Sequence, residues 1–121
     1  MENQRKTILI VDDEPTVVSF VSTVLVDYNL LTANSGLQAI QEARRHEADI
    51  DLLLTDFMMP GMSGADLALQ LTTERPELKV LIMSGFTKGI PVLDEVWHFV
   101  AKPFTPSNLR MLVSNLIFQQ P

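Results

Sequence analysis

Apolar residues fall in short continuous runs and in longer stripes, and the two kinds alternate along the chain. Thr7-Ile8-Leu9-Ile10-Val11, Leu52-Leu53-Leu54 and Val80-Leu81-Ile82-Met83 are too short for helices and carry almost no polar position. That pattern fits strands buried on both faces, as in a parallel sheet covered by helices. A weaker strand is predicted over Asn29 to Ala33, and a fifth over roughly Trp97 to Val100. Helical stripes lie between them. Val17, Val21, Val24 and Tyr28 recur on one helical face after Glu14-Pro15, with Pro where its missing N–H costs nothing. Ser35-Gly36-Leu37-Gln38 matches a capping box, and Leu37, Ile40 and Ala43 should face inward on the helix it starts. Arg44, Arg45 and His46 close that helix as a solvated cationic end. Leu67 and Leu71 mark a third helix from about Ser63 to Glu74, ended by Arg75-Pro76. Thr105 caps a last helix with Pro106 at its first position, and Leu109, Leu112, Val113, Leu116 and Ile117 keep its stripe.

Strands that alternate with helices predict an α/β fold, a right-handed, doubly wound, five-stranded parallel sheet with helices on both faces. No linker or repeat interrupts the pattern. One domain is expected over residues 1–121, with its core over about 7–117 and no output domain in this chain. Between Phe86 and Trp97 the signal degrades. Gly89 and Pro91 leave room for little more than one helical turn, so the fourth helix, between the fourth and fifth strands, is predicted to be short or absent. Trp97 would be packing for that shortened segment.

Composition narrows the classes. The 121 residues suit one domain, and an apolar content of 46% is enough for a core. No apolar run approaches the ~18 residues of a membrane span. The polar start, Met1 to Lys6, carries no signal-peptide core, so a cytoplasmic location is expected. The absence of cysteine excludes disulfides, thiolate metal sites and a Cys nucleophile. The net charge is −6, from 9 basic and 15 acidic residues, and the basic ones are scattered singly or in pairs. Direct nucleic-acid binding, which needs clustered cations, is not expected.

Chemistry gathers at the strand ends. The first strand stops at Asp12-Asp13, the third at Asp56, the fourth at Ser84, and the fifth just before Lys102-Pro103. In a parallel sheet these ends share one edge, where such folds bind and react. Three carboxylates together need a counter-charge, and hard oxygen donors suit Mg²⁺, with Mn²⁺ an alternative. A cation and Lys102 could stabilise charge on a phosphoryl group, leaving Asp56 as nucleophile. No Gly-rich phosphate loop is present, so the donor is not a nucleotide bound by this chain.

The blocks Ile8-Leu9-Ile10-Val11-Asp12-Asp13-Glu14, Leu54-Thr55-Asp56-Phe57-Met58-Met59-Pro60-Gly61-Met62-Ser63-Gly64, Met83-Ser84-Gly85 and Lys102-Pro103-Phe104 occur in this order. Together they resemble a response-regulator receiver domain of two-component signalling, over about Thr7 to Leu116. Met83-Ser84-Gly85-Phe86 and Ala101-Lys102-Pro103-Phe104 resemble receivers attached to hybrid sensor kinases. The resemblance implies a flavodoxin-like sheet and a phosphoacceptor switch rather than an enzyme. It implies that Asp56 takes a phosphoryl group from a phosphohistidine on a sensor histidine kinase or phosphotransfer protein. Asp13, Asp56 and the Met58 carbonyl would ligate Mg²⁺, with Asp12 assisting. Lys102 would pair with the phosphoryl group, Ser84 would hydrogen-bond it, and the bond to Pro103 would often be cis. Phe99 occupies the switch-aromatic position; without a hydroxyl it could signal only by burial or exposure.

Two departures stand out. Lys102 follows Ser84 by 18 positions, a short interval that falls on the weak segment. Met58 and Phe86 flank the site and neither can orient water, so slow self-dephosphorylation is expected. Two other classes compete with this reading. A haloacid-dehalogenase-like phosphohydrolase would need an Asp-x-Asp loop after the first strand, where this chain has Asp12-Asp13-Glu14, and a cap, for which there is no room. A receiver-like module that is never phosphorylated fits poorly with the complete set Asp12, Asp13, Asp56, Ser84 and Lys102. The downstream target is not legible in the sequence.

Overall fold

The computed structural model of the chain describes residues 5–85 and 97–118. Five strands, β1 (Thr7–Val11), β2 (Asn29–Ala33), β3 (Leu52–Asp56), β4 (Lys79–Ser84) and β5 (His98–Ala101), form one parallel sheet in the order β2-β1-β3-β4-β5. Four helices are described: α1 (Pro15–Val24), α2 (Gly36–Arg45), α3 (Gly64–Glu74) and α4 (Pro106–Phe118). None of them is long and apolar enough to cross a membrane.

Successive strand residues point to opposite faces, and this alternation splits the core into two layers. Leu9, Val11, Leu53, Val80 and Ile82 pack beneath α2 and α3. Ile8, Ile10, Leu52, Leu54, Leu81 and Met83 pack beneath α1 and α4. The continuous apolar runs are therefore two half-patterns read together, and every residue of β1 and β3 is buried.

Local signals decide three of the four described helix starts. Ser35 Oγ accepts from the Gln38 N–H at 3.1 Å, and Ser63 Oγ accepts from the Asp66 N–H at 3.1 Å. Thr105 Oγ1 accepts from the Asn108 N–H at 3.0 Å. Three expectations need correcting. α1 stops at Val24, so Tyr28 packs on its layer from beyond the helix. Leu37 is exposed, because the inward stripe of α2 is Gly36, Ala39, Ile40 and Ala43. Gly36, Ala39 and Ala43 are small enough to let α2 lie close to the sheet, and an added carbon at Gly36 would meet Met62 Sδ at 2.8 Å. His46 is half-buried with its Nε2 enclosed, not a solvated end.

The expectation of a short or missing helix between β4 and β5 is not borne out; it falls on residues 86–96, outside the described residues. Trp97, at the edge of that segment, is buried in the layer under α2 and α3.

Arg75 does more than end a helix. Its guanidinium donates to the carbonyls of Ala48 at 3.0 Å, Ala43 at 2.9 Å and His46 at 2.7 Å. Ala43 lies in the last turn of α2, and His46 and Ala48 in the chain just beyond it, so one side chain ties the end of α3 to the end of α2. Arg75→Met should lower the urea midpoint at unchanged slope, by about 1–2 kcal/mol of stability. The exposed Arg44–Glu74 pair, 2.8 Å apart, should matter far less.

Candidate functional site

The strand order reverses direction at β1, between β2 and β3, and the crevice at the carboxyl ends of β1 and β3 is the switch point of the sheet. Asp12 follows β1 directly and has no solvent exposure. Its Oδ1 accepts from the Glu14 N–H at 2.9 Å, which holds the carboxylate at the crevice floor as the chain turns into α1. Asp56 is the last residue of β3 and is buried; Asp13 is exposed above it. Carboxylate oxygens of Asp12, Asp13 and Asp56 lie within 4.8 Å of one another. A set of three hard, anionic oxygens this close fits a small divalent cation.

Lys102 enters from beyond β5. Its Nζ lies 2.7 Å from Asp56 Oδ1 and 3.4 Å from Asp12 Oδ2. The main chain aims it, because the Lys102 N–H donates to the carbonyl of Ser84, at the end of β4, at 2.8 Å. The Lys102–Pro103 bond is cis. Burial works against the ammonium, but the hydrogen bond to Asp56 and the fields of Asp12 and Asp56 raise its pKa above the ordinary lysine value. Burial also pushes the Asp12 carboxyl up; the Glu14 N–H opposes this, the charge of Asp56 adds to it, and Lys102 offsets part. A raised carboxylate costs the fold stability once ionised. That cost is relieved as pH falls from the folded value toward the ordinary carboxylate range, or when a cation joins the set.

The remaining expected residues are placed as follows. Ser84 is buried at the end of β4. Phe99 lies on β5, half-buried against the layer under α2 and α3. Met58, two residues beyond Asp56, is 67% exposed. Phe86 lies outside the described residues. The structure therefore brings Asp12, Asp13, Asp56 and Lys102 into one cluster.

Two residues near Asp56 were missed. Gly64, at the first position of α3, lies so close to the Asp56 carbonyl that an added carbon would collide with it. Thr55, fully buried, donates to the same carbonyl at 3.0 Å. A strand-forming Thr and a helix-starting Gly carry no sign of either contact in the sequence.

Residues 8–114 match the family model of the response regulator receiver domain. The chain belongs to this family. It is similar to the probable transcriptional regulatory protein TcrX of Mycobacterium tuberculosis, with 41% identity over 86 residues, which are 69% of this chain and 36% of TcrX. It thus spans little more than a third of that relative. The crystal structure of the receiver domain from the hybrid histidine kinase CckA has a TM-score of 0.79 and 29% identity, covering 92% of this chain and 98% of that one. Response regulator TrrA of Thermotoga maritima, solved with Mg²⁺ and a beryllium fluoride, has a TM-score of 0.78 and 25% identity, covering 92% and 98%. This receiver domain is a signalling domain, and its acidic cluster stands where receivers bind Mg²⁺.

Proposed function

We propose that this receiver domain is a phosphoacceptor switch in which Asp56 takes a phosphoryl group from a phosphohistidine. The donor is a sensor histidine kinase or a histidine phosphotransfer protein. The observation that carries the reading is the contact of Lys102 Nζ with Asp56 Oδ1 at 2.7 Å, inside a cluster of three carboxylates. A nucleophile paired to an ammonium has a charge beside it that can pass to the incoming phosphoryl oxygens.

The chain's residues divide the work. An Asp56 carboxylate oxygen attacks phosphorus, the phosphorus–nitrogen bond breaks with its electron pair going to nitrogen, and the donor ring, already protonated on its other nitrogen, leaves as neutral imidazole, giving an acyl phosphate on Asp56. Lys102 moves its hydrogen bond from the carboxylate to a phosphoryl oxygen, and the Ser84 hydroxyl binds another. Asp12, Asp13, Asp56 and the Met58 carbonyl would hold Mg²⁺ or Mn²⁺. When bound, the cation supplies positive charge that lets an anionic carboxylate approach an anionic phosphoryl group. Ser84 drawn toward the phosphoryl group leaves room behind β4 for Phe99 to turn further inward, and that is the signal passed to a downstream protein. Met58 offers no group that orients water, so the acyl phosphate should persist in the isolated domain. The domain acts as one unit with its core over about 7–117, as a signalling phosphoacceptor and not as a turnover enzyme.

Incubation with Mg²⁺ and acetyl phosphate tests the reading by intact mass. The native chain should gain one phosphoryl group and Asp56→Asn should gain none. Gain on both, or on neither, refutes it.

Metal binding has its own readout. Saturating Mg²⁺ should raise thermal stability, by about 2.7 kcal/mol at a hundred times its dissociation constant. Asp13→Asn, an exposed change that leaves packing intact, should lose most of that gain. Equal stabilisation of both proteins would remove Asp13 from the ligand set.

A further inference from the structure

Thr55 precedes Asp56 in β3 and pairs with Val11 on one side and Ile82 on the other. Both neighbours belong to the apolar layer under α2 and α3. A valine or isoleucine would fill this place with no polar atom to satisfy. The hydroxyl present instead donates to the Asp56 carbonyl at 3.0 Å. The N–H of the same peptide plane, that of Phe57, donates to the Met83 carbonyl at 2.9 Å. Gly64 closes against the Asp56 carbonyl from the start of α3. The plane that follows the nucleophile is therefore held at both ends and pressed from one side.

We propose that Thr55 is a positioning residue whose buried hydroxyl fixes the Asp56 peptide plane and, through it, the line along which the carboxylate meets phosphorus. The proposal rests on the reading of Asp56 as phosphoacceptor. In-line attack tolerates little misalignment, and a free plane would let the carboxylate swing about its own backbone. The hydroxyl touches neither donor nor cation, so it should affect the rate of transfer and not the binding of the donor.

Thr55→Val removes the hydroxyl at nearly constant shape, and Thr55→Ser keeps it. Initial rates of Asp56 phosphorylation are read against acetyl phosphate concentration at saturating Mg²⁺, below the unfolding range of each variant. Thr55→Val should lower the maximal rate on the order of tenfold, short of the ~100-fold that a full ångström of misplacement can cost. Half-saturation should not move, and Thr55→Ser should restore most of the rate. A merely structural role would shift the denaturation midpoint and leave the maximal rate of the folded protein intact. A native rate in Thr55→Val, or equal slowing in both variants, overturns the proposal. Amide exchange at Phe57 reads the same plane without phosphoryl chemistry. It should quicken in Thr55→Val and stay native-like in Thr55→Ser, and unchanged exchange in Thr55→Val also overturns the proposal. Asp56→Asn separates the two claims, since phosphorylation of that variant would refute the role of Asp56 and leave the exchange result standing.

Discussion

Lys102→Met should slow phosphoryl uptake by Asp56 about 100-fold and, in the same protein, tighten Mg²⁺ binding. The two effects have opposite signs because Lys102 has two tasks. In the resting site its ammonium sits 2.7 Å from Asp56 and 3.4 Å from Asp12, where it neutralises oxygens that a cation would also use. Without it the carboxylate set carries a full extra unit of unbalanced charge, and a divalent ion no longer competes with the Lys102 ammonium. Transfer suffers nonetheless, since the phosphoryl oxygens lose the ammonium that Lys102 would bring to them. Titration calorimetry and acetyl phosphate kinetics on the same preparation check both arms. The metal-free variant should also lose about 1–3 kcal/mol, less than a fully buried pair because the Lys102 side chain is 28% exposed. Mg²⁺ should return much of that stability. Weaker Mg²⁺ binding in Lys102→Met would show that the ammonium assembles the cation site and does not compete for it.

The chemistry at the sheet edge was legible because it depends on order along the chain. A strand end followed by a polar residue needs only a parallel sheet to be brought beside the next, and Asp12, Asp13, Asp56 and Lys102 met on that ground alone. Helix starts were legible too, since Ser35, Ser63 and Thr105 act within three residues of themselves. Distance through space was not legible. Arg75 reads as the end of a helix, yet it reaches carbonyls 27 to 32 positions away. Leu37 reads as core, but the small residues beside it let α2 settle on another stripe. Thr55 and Gly64 read as strand and turn formers, and their shared contact is the Asp56 carbonyl. What the pattern misses is which neighbour is close enough to leave no room.

Gly64→Ala should therefore be the most damaging glycine-to-alanine change among the described residues. Most first-turn helix positions accept alanine, and alanine is the better helix former. Here the added carbon would strike the Asp56 carbonyl oxygen and press on the Phe57 backbone at 3.1 Å. Both neighbours are main chain, so neither can rotate away as a side chain would. The Gly64 N–H also donates to the Phe57 carbonyl at 2.8 Å, which ties the helix start to the loop it would have to leave. Relief requires α3 to withdraw from β3, opening the layer formed by Leu67, Ala68 and Leu71. Overpacking against a rigid backbone usually costs about 1–3 kcal/mol, and this site belongs at or above the upper end. Urea unfolding of Gly64→Ala beside Gly36→Ala checks the argument, because the neighbour at Gly36 is the flexible Met62 side chain. The Gly36 change should cost less and leave phosphorylation close to native. The Gly64 change should also slow phosphorylation, since it displaces the plane that carries the nucleophile. Equal, small losses in both variants would mean that α3 can slide on the sheet, and the close approach would then have no hold on Asp56.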